Sequence, residues 1–186
     1  MLRTGQRAGE VFDMQWRDVD EAKGWWTIPG EKAKNKKTHR VPLTPAALAL
    51  LAEARHATSR PGGRLVNSGN DGLVFEGPEG GSYHSRAVKV VSKFREAGLI
   101  TGDYIRHDFR RTVATGLQAL NLPTSTISHV LNQQEGGSRV TPIYARHDFS
   151  TEKTAALEAW GRHLDALITG QRQEKEKVVS IDGRRR

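Results

Sequence analysis

The feature that most limits the fold is a pair of strand-patterned segments around a lysine-rich turn. GWWTIPG at 24–30 is aromatic and β-branched between two glycines, and THRVPLT at 38–44 alternates Val41 and Leu43 with polar neighbours. EKAKNKK lies between them, so the stretch predicts a β-hairpin with a basic tip. Most of what surrounds it reads as helix. Thr44 supplies an N-cap and Pro45 a favoured first position for a helix through AALALLAEARHA. Ser82 caps YHSRAVKVVSKFREAG, which ends at Gly98; RHDFRRTVATGLQALN stops before Pro123; TSTISHVLNQ is shorter. An amphipathic, well-capped helix opens at Ser150 in STEKTAALEAWGRHLDALI, and MLRTGQRAGEVFDMQW reads as a helix already under way. LVFEG adds a short strand, and residues 59–72 and QEGGSRVTP are loops. The expected class is α+β, mainly α-helical, with one small antiparallel hairpin or sheet.

A length of 186 residues suits one domain, expected over 1–170, with a charged, loose tail over 171–186. Lysine and arginine number 29 against 21 acidic residues, a net charge of +8, which places nucleic acid slightly ahead of a merely basic soluble protein. There is no cysteine, which excludes disulfides, thiolate catalysis and Cys-ligated zinc. The seven histidines show no H-E-x-x-H or other ligand spacing, no phosphate-binding loop or nucleophile elbow is present, and neither metal nor cofactor is expected. The longest apolar run, AALALLA, is too short to span a bilayer, and no signal peptide opens the chain. The expected location is cytoplasmic, without a membrane partner.

RHDF occurs twice, at 106–109 and 146–149, with different flanks and no repeat period. In the first copy, His107 and Arg110 share a helix face. An exposed basic surface explains this, and so does a phosphate between an imidazole and a forked guanidinium. Arg7 and Glu10 sit three apart, as an ordinary surface pair or as an arginine held by its carboxylate. Lys34 stands at the hairpin tip among Lys32, Lys36 and Lys37; any of them could contact DNA backbone or protonate a leaving oxygen, and spacing does not choose. Tyr144 lies between Arg139 and Arg146, which favour a phenolate nucleophile, although a tyrosine packing on the core fits equally.

The order of these pieces carries more than any one of them. TGQRAGEVFDMQWRDVD, TIPGEKAKNKKTHRVPLT, IRHDFRRTVAT and VTPIYARHDF together resemble the catalytic domain of the tyrosine recombinases, the phage integrase family, from about Thr4 to about Leu167. The resemblance implies that family's catalytic-domain fold, shortened at its amino end and without the usual DNA-clamping domain. It implies Arg7 and Arg110 as the catalytic arginines, Glu10 as the orienting carboxylate, Lys34 as general acid, His107 as the histidine and Tyr144 as the nucleophile. Arg111, Lys32, Lys36, Lys37, Arg139 and Arg146 are then expected at the DNA. In the second RHDF, Arg146 and His147 trail the nucleophile and Phe149 anchors the segment to the core.

One position departs. After SHVL the family has His or Trp where this chain has Gln133, with Gln134 the alternative placement; glutamine can donate a hydrogen bond but carries no charge. His129, a turn earlier, is a weaker substitute. The implied partner is double-stranded DNA at attachment-type sites, with a homotetramer on DNA for the full-length protein. Accessory bending or directionality proteins and nucleoid association in a bacterial or phage-infected cell go with it. A type IB topoisomerase-like strand transferase and a DNA-binding module without catalysis are the rival readings.

Overall fold

The computed structural model describes residues 1–58, 71–76, 91–100, 106–133 and 148–170. The hairpin forms as expected. Strands β2 (Trp25–Ile28) and β3 (His39–Pro42) pair antiparallel with Trp26 opposite Val41 and Ile28 opposite His39. Trp26 and Ile28 are buried while Trp25 and Thr27 are half-exposed, the period-two pattern of a one-sided sheet. A further strand, β1 (Val19–Asp20), extends the sheet in the order β1-β2-β3. The edge position of β3 tolerates Pro42, which has no N–H to give.

The amino end corrects one expectation. No helix is under way at Met1: Gly5 has φ +68°, Arg7 is extended at φ −64° and ψ 145°, and helix α1 covers only Ala8–Phe12. Leu73 makes an isolated bridge with Gln15 rather than opening a strand, and the Val74 N–H donates to the Met14 carbonyl at 2.9 Å. Helix α2 (Pro45–Thr58) has its predicted cap, Thr44 Oγ1 accepting the Ala47 N–H at 3.4 Å. Residues 91–96 are helical (α3) and end at Gly98 with φ +70°. Ser82, QEGGSRVTP and the 171–186 tail lie outside the described residues.

Helices α4 (Arg106–Ala119), α5 (Thr124–Val130) and α6 (Ser150–Thr169) follow. The cap of α6 differs from the simple reading of Ser150. Phe149 takes the N-cap position at φ 53°, and the Asp148 carboxylate accepts from both the Ser150 N–H and the Ser150 hydroxyl. One hydrophobic core joins the sheet face (Trp26, Ile28, Val41) to Val113 and Leu117 of α4, Ile127 and Val130 of α5, and Leu157 and Trp160 of α6. Trp160 sets the α4–α6 approach: its indole N–H donates to the Leu2 carbonyl at 2.7 Å, and its six-membered ring packs against Gly116. Among the described residues no helix is long and apolar enough to cross a membrane.

Candidate active site

Arg7 is fixed from two sides. Glu10, its side chain only 4% exposed, accepts the Arg7 backbone N–H through Oε2 at 3.0 Å and the guanidinium Nη1 through Oε1 at 2.9 Å. Arg7 Nη2 also donates to the Asn132 carbonyl, just past α5, at 3.3 Å. The pair is therefore more than a surface ion pair. One carboxylate caps the short helix and holds the guanidinium's orientation, while the arginine keeps 27% of its side chain open.

Arg110, three residues after His107 on α4, is buried. Its Nη1 donates to the Gly5 carbonyl at 2.9 Å and its Nη2 to the Leu131 carbonyl. These partners are neutral dipoles, and among the described residues no acid pairs directly with the guanidinium. Burial first, and then the neighbouring Arg7 charge, push the Arg110 pKa down to about 10, with Glu10 acting in the opposite sense. Two guanidiniums thus converge at the carboxyl end of α5, and Glu10 is a carboxylate acting on both. Such an arrangement favours an incoming anion with two or more oxygens.

Gly5 permits this geometry. Its φ of +68° suits glycine, and an added Cβ would lie 2.9 Å from Leu131 Cδ2 and 3.1 Å from Val113 Cγ1. Gln6 beside it is fully buried and donates through Nε2 to the Thr4 and Val130 carbonyls, both at 2.8 Å. The TGQR segment is thereby stitched onto α5.

The hairpin lysines separate by environment. Lys34 is exposed and lines a cleft of about 260 Å³ together with Arg7 and Glu10. Lys32 lines the same cleft but is committed to Asp18 Oδ2 at 2.9 Å and Gln15 Oε1 at 2.5 Å. Lys36 is exposed at a left-handed φ of 58°, and Lys37 borders a second cleft of about 350 Å³. Gln133 is exposed and lines that second cleft with His39, Asn132 and Lys153. His107 is exposed on the first turn of α4; Arg111 is 70% exposed and pairs with Asp108 at 3.3 Å. His129 stacks on Phe149 with ring centroids 3.6 Å apart, so the contact seen for Phe149 is with an imidazole. Tyr144, Arg139, Arg146, His147 and Gln134 lie outside the described residues.

Four polar residues near the site escape a reading by residue type. Asn35 Nδ2 donates to Asn132 Oδ1 at 2.7 Å. Buried Lys153 of α6 donates to the Arg40 carbonyl at 2.9 Å, and His39 of β3 is buried beside it. For His39 the signal was present, since it shares the strand face of Val41.

The model of the phage integrase family matches residues 1–151. The chain belongs to the phage integrase family. As an integrase-family chain it is 24% identical over 169 residues to prophage integrase IntA of Escherichia coli (strain K12), covering 91% of this chain and 38% of that protein. It is 26% identical over 165 residues to the integrase of Shigella phage Sf6, covering 89% and 40%. It thus spans about two-fifths of the length of these curated relatives. Among solved structures, the XerA recombinase superposes with a TM-score of 0.58 at 16% identity, over 94% of this chain and 55% of that one. The integrase from mycobacterium phage Brujita gives 0.56 at 17%, over 84% and 47%. At such identities the likeness is one of fold: the integrase-family chain has the helix-rich tyrosine-recombinase catalytic fold around a small antiparallel sheet.

Proposed function

We propose that this chain is the catalytic part of a site-specific DNA recombinase of the integrase type. The observation that carries the reading is the convergence of Arg7 and Arg110, one half-open and one buried against carbonyls, in a chain of this family. In the proposed reaction the Tyr144 oxygen bonds to a backbone phosphorus and the P–O5′ bond breaks, leaving a 3′-phosphotyrosyl link. Tyr144 gives up its phenolic proton to solvent with His107 assisting the transfer, and Lys34 delivers a proton to the departing 5′ oxygen. The pentavalent transition state gathers negative charge on fixed oxygens, which the two guanidiniums stabilise without reorganising. Attack by a 5′-hydroxyl of a partner strand reverses the step and conserves the bond.

Gln133 fits as a neutral donor to a non-bridging oxygen. Lys36, Lys37, Arg111, Arg139 and Arg146 are proposed to contact DNA, with Lys32 bracing the hairpin from its Asp18 pair. The substrate is double-stranded DNA at attachment-type sites, bound by a homotetramer of the full-length protein with accessory bending or directionality factors. Because glutamine cannot carry charge, a DNA-binding role without cleavage is the second reading; it predicts strongly salt-dependent binding and no covalent product.

The test is covalent trapping on a pool of nicked suicide duplexes. An SDS-stable protein–DNA adduct that maps to Tyr144 and disappears in Tyr144→Phe is the expected result. Salt-sensitive binding without an adduct would move the chain to the second reading.

A further inference from the structure

From the hydrogen bonds around the hairpin tip, we infer that Asn132 is a positioning residue. It latches the hairpin to the arginine pair through Asn35 and so sets where Lys34 stands. Lys34's role as the acid rests on the recombinase reading; the latch itself does not. Asn132 follows the last turn of α5 at φ 49°, a conformation that asparagine and glycine tolerate better than other residues. Its backbone carbonyl accepts from Arg7 Nη2 at 3.3 Å, and its side-chain Oδ1 accepts from Asn35 Nδ2 at 2.7 Å. The two bonds leave one residue in different directions, one to the phosphate-binding guanidinium and one to the lysine turn.

The turn makes this bond matter. Between the strands the hairpin folds on itself, with Ala33 N–H to the Pro29 carbonyl at 3.0 Å and Lys36 N–H to the Ala33 carbonyl at 3.0 Å. Its side-chain ties to the rest of the fold flank Lys34 on both sides. Lys32 is held by Asp18 and Gln15, and Asn35 is held by Asn132. Lys34 sits between these tethers with an exposed side chain over the cleft it shares with Arg7. Its backbone is thus placed while its ammonium keeps the reach a proton donor needs. Glycine at 132 would keep the backbone turn and the carbonyl for Arg7 but could not make the latch.

Two variants break the bond. Asn35→Ala removes the donor to Asn132, together with the Oδ1 that accepts the Lys37 N–H at 3.2 Å. Asn132→Gly removes the acceptor and leaves the left-handed turn unstrained. Hydrogen–deuterium exchange of the amides of residues 32–37 should quicken about three- to tenfold in either variant, as expected for one lost hydrogen bond, with no further gain in the double variant. Unchanged exchange would overturn the latch.

The chemical readout uses suicide duplexes with oxygen or sulfur at the scissile 5′ bridging position, because a thiolate departs without a proton. In both variants adduct formation on the oxygen substrate should slow about tenfold or more, as for Lys34→Ala, with the sulfur substrate largely restored. Equal slowing on both substrates would overturn the assignment, since a damaged fold or phosphate site does not distinguish leaving groups. No adduct from the unaltered chain on either duplex would sink the recombinase reading and leave amide exchange to decide the latch.

Discussion

His39 shows how the site's positive charge reaches into the core. It is 7% exposed on β3, and its buried Nε2 has no hydrogen-bond partner among the described residues. Burial first, and Lys153 second, push its pKa down to about 4; a Val130 backbone hydrogen bond opposes this, while Arg110 and Arg7 add to it. The unfolded chain takes up this proton near pH 6.5, the folded chain only near 4. Stability is therefore complete above about 6.5 and drains away as pH falls toward 4, by up to about 3 kcal/mol. Urea unfolding at about pH 7 and about pH 4.5 should show a smaller drop for His39→Gln than for the unaltered chain; equal drops would contradict this. At this scale Arg7, Glu10 and Arg110 were legible through the family resemblance, since their spacing alone fits an ordinary surface pair equally well. Asn35 and Asn132 were not, because their roles come from a left-handed backbone and a bond across 97 positions of sequence separation.

Among the elements, the α4–α6 contact is the most exacting. A Cβ on Gly116 would fall 2.0 Å from Trp160 Cζ3, and Trp160 is 2% exposed, so its ring has nowhere to go. Gly116→Ala gains about 1 kcal/mol of helix propensity, but overpacking of this kind outweighs it. A net loss of about 1–3 kcal/mol is expected. A urea midpoint that stays put or rises would contradict the packing. The hairpin and the helix that follows it were readable because alternation, Thr44 and the lysine turn agree with one another. Strand β1 was not, since two residues hold no periodicity, and the amino-terminal helix was over-read because Gly5 breaks it before it can start.

Over the whole molecule, the site belongs to no single element. Residues 5–10, the hairpin tip, Arg110 of α4 and the end of α5 come together only when the core closes. This is why the family resemblance named candidates such as Arg7 and Arg110, while the contacts between them had to come from the fold. The central claim is that Arg7 and Arg110 neutralise a phosphate at the end of α5. The most direct measurement is the rate of adduct formation by Arg7→Ala on two suicide duplexes, one with the natural scissile phosphodiester and one with an uncharged methylphosphonate. A loss of about 100–1,000-fold is expected on the phosphodiester, with most of the rate restored on the methylphosphonate, which presents no negative charge for an arginine to neutralise. The same loss on both would contradict it.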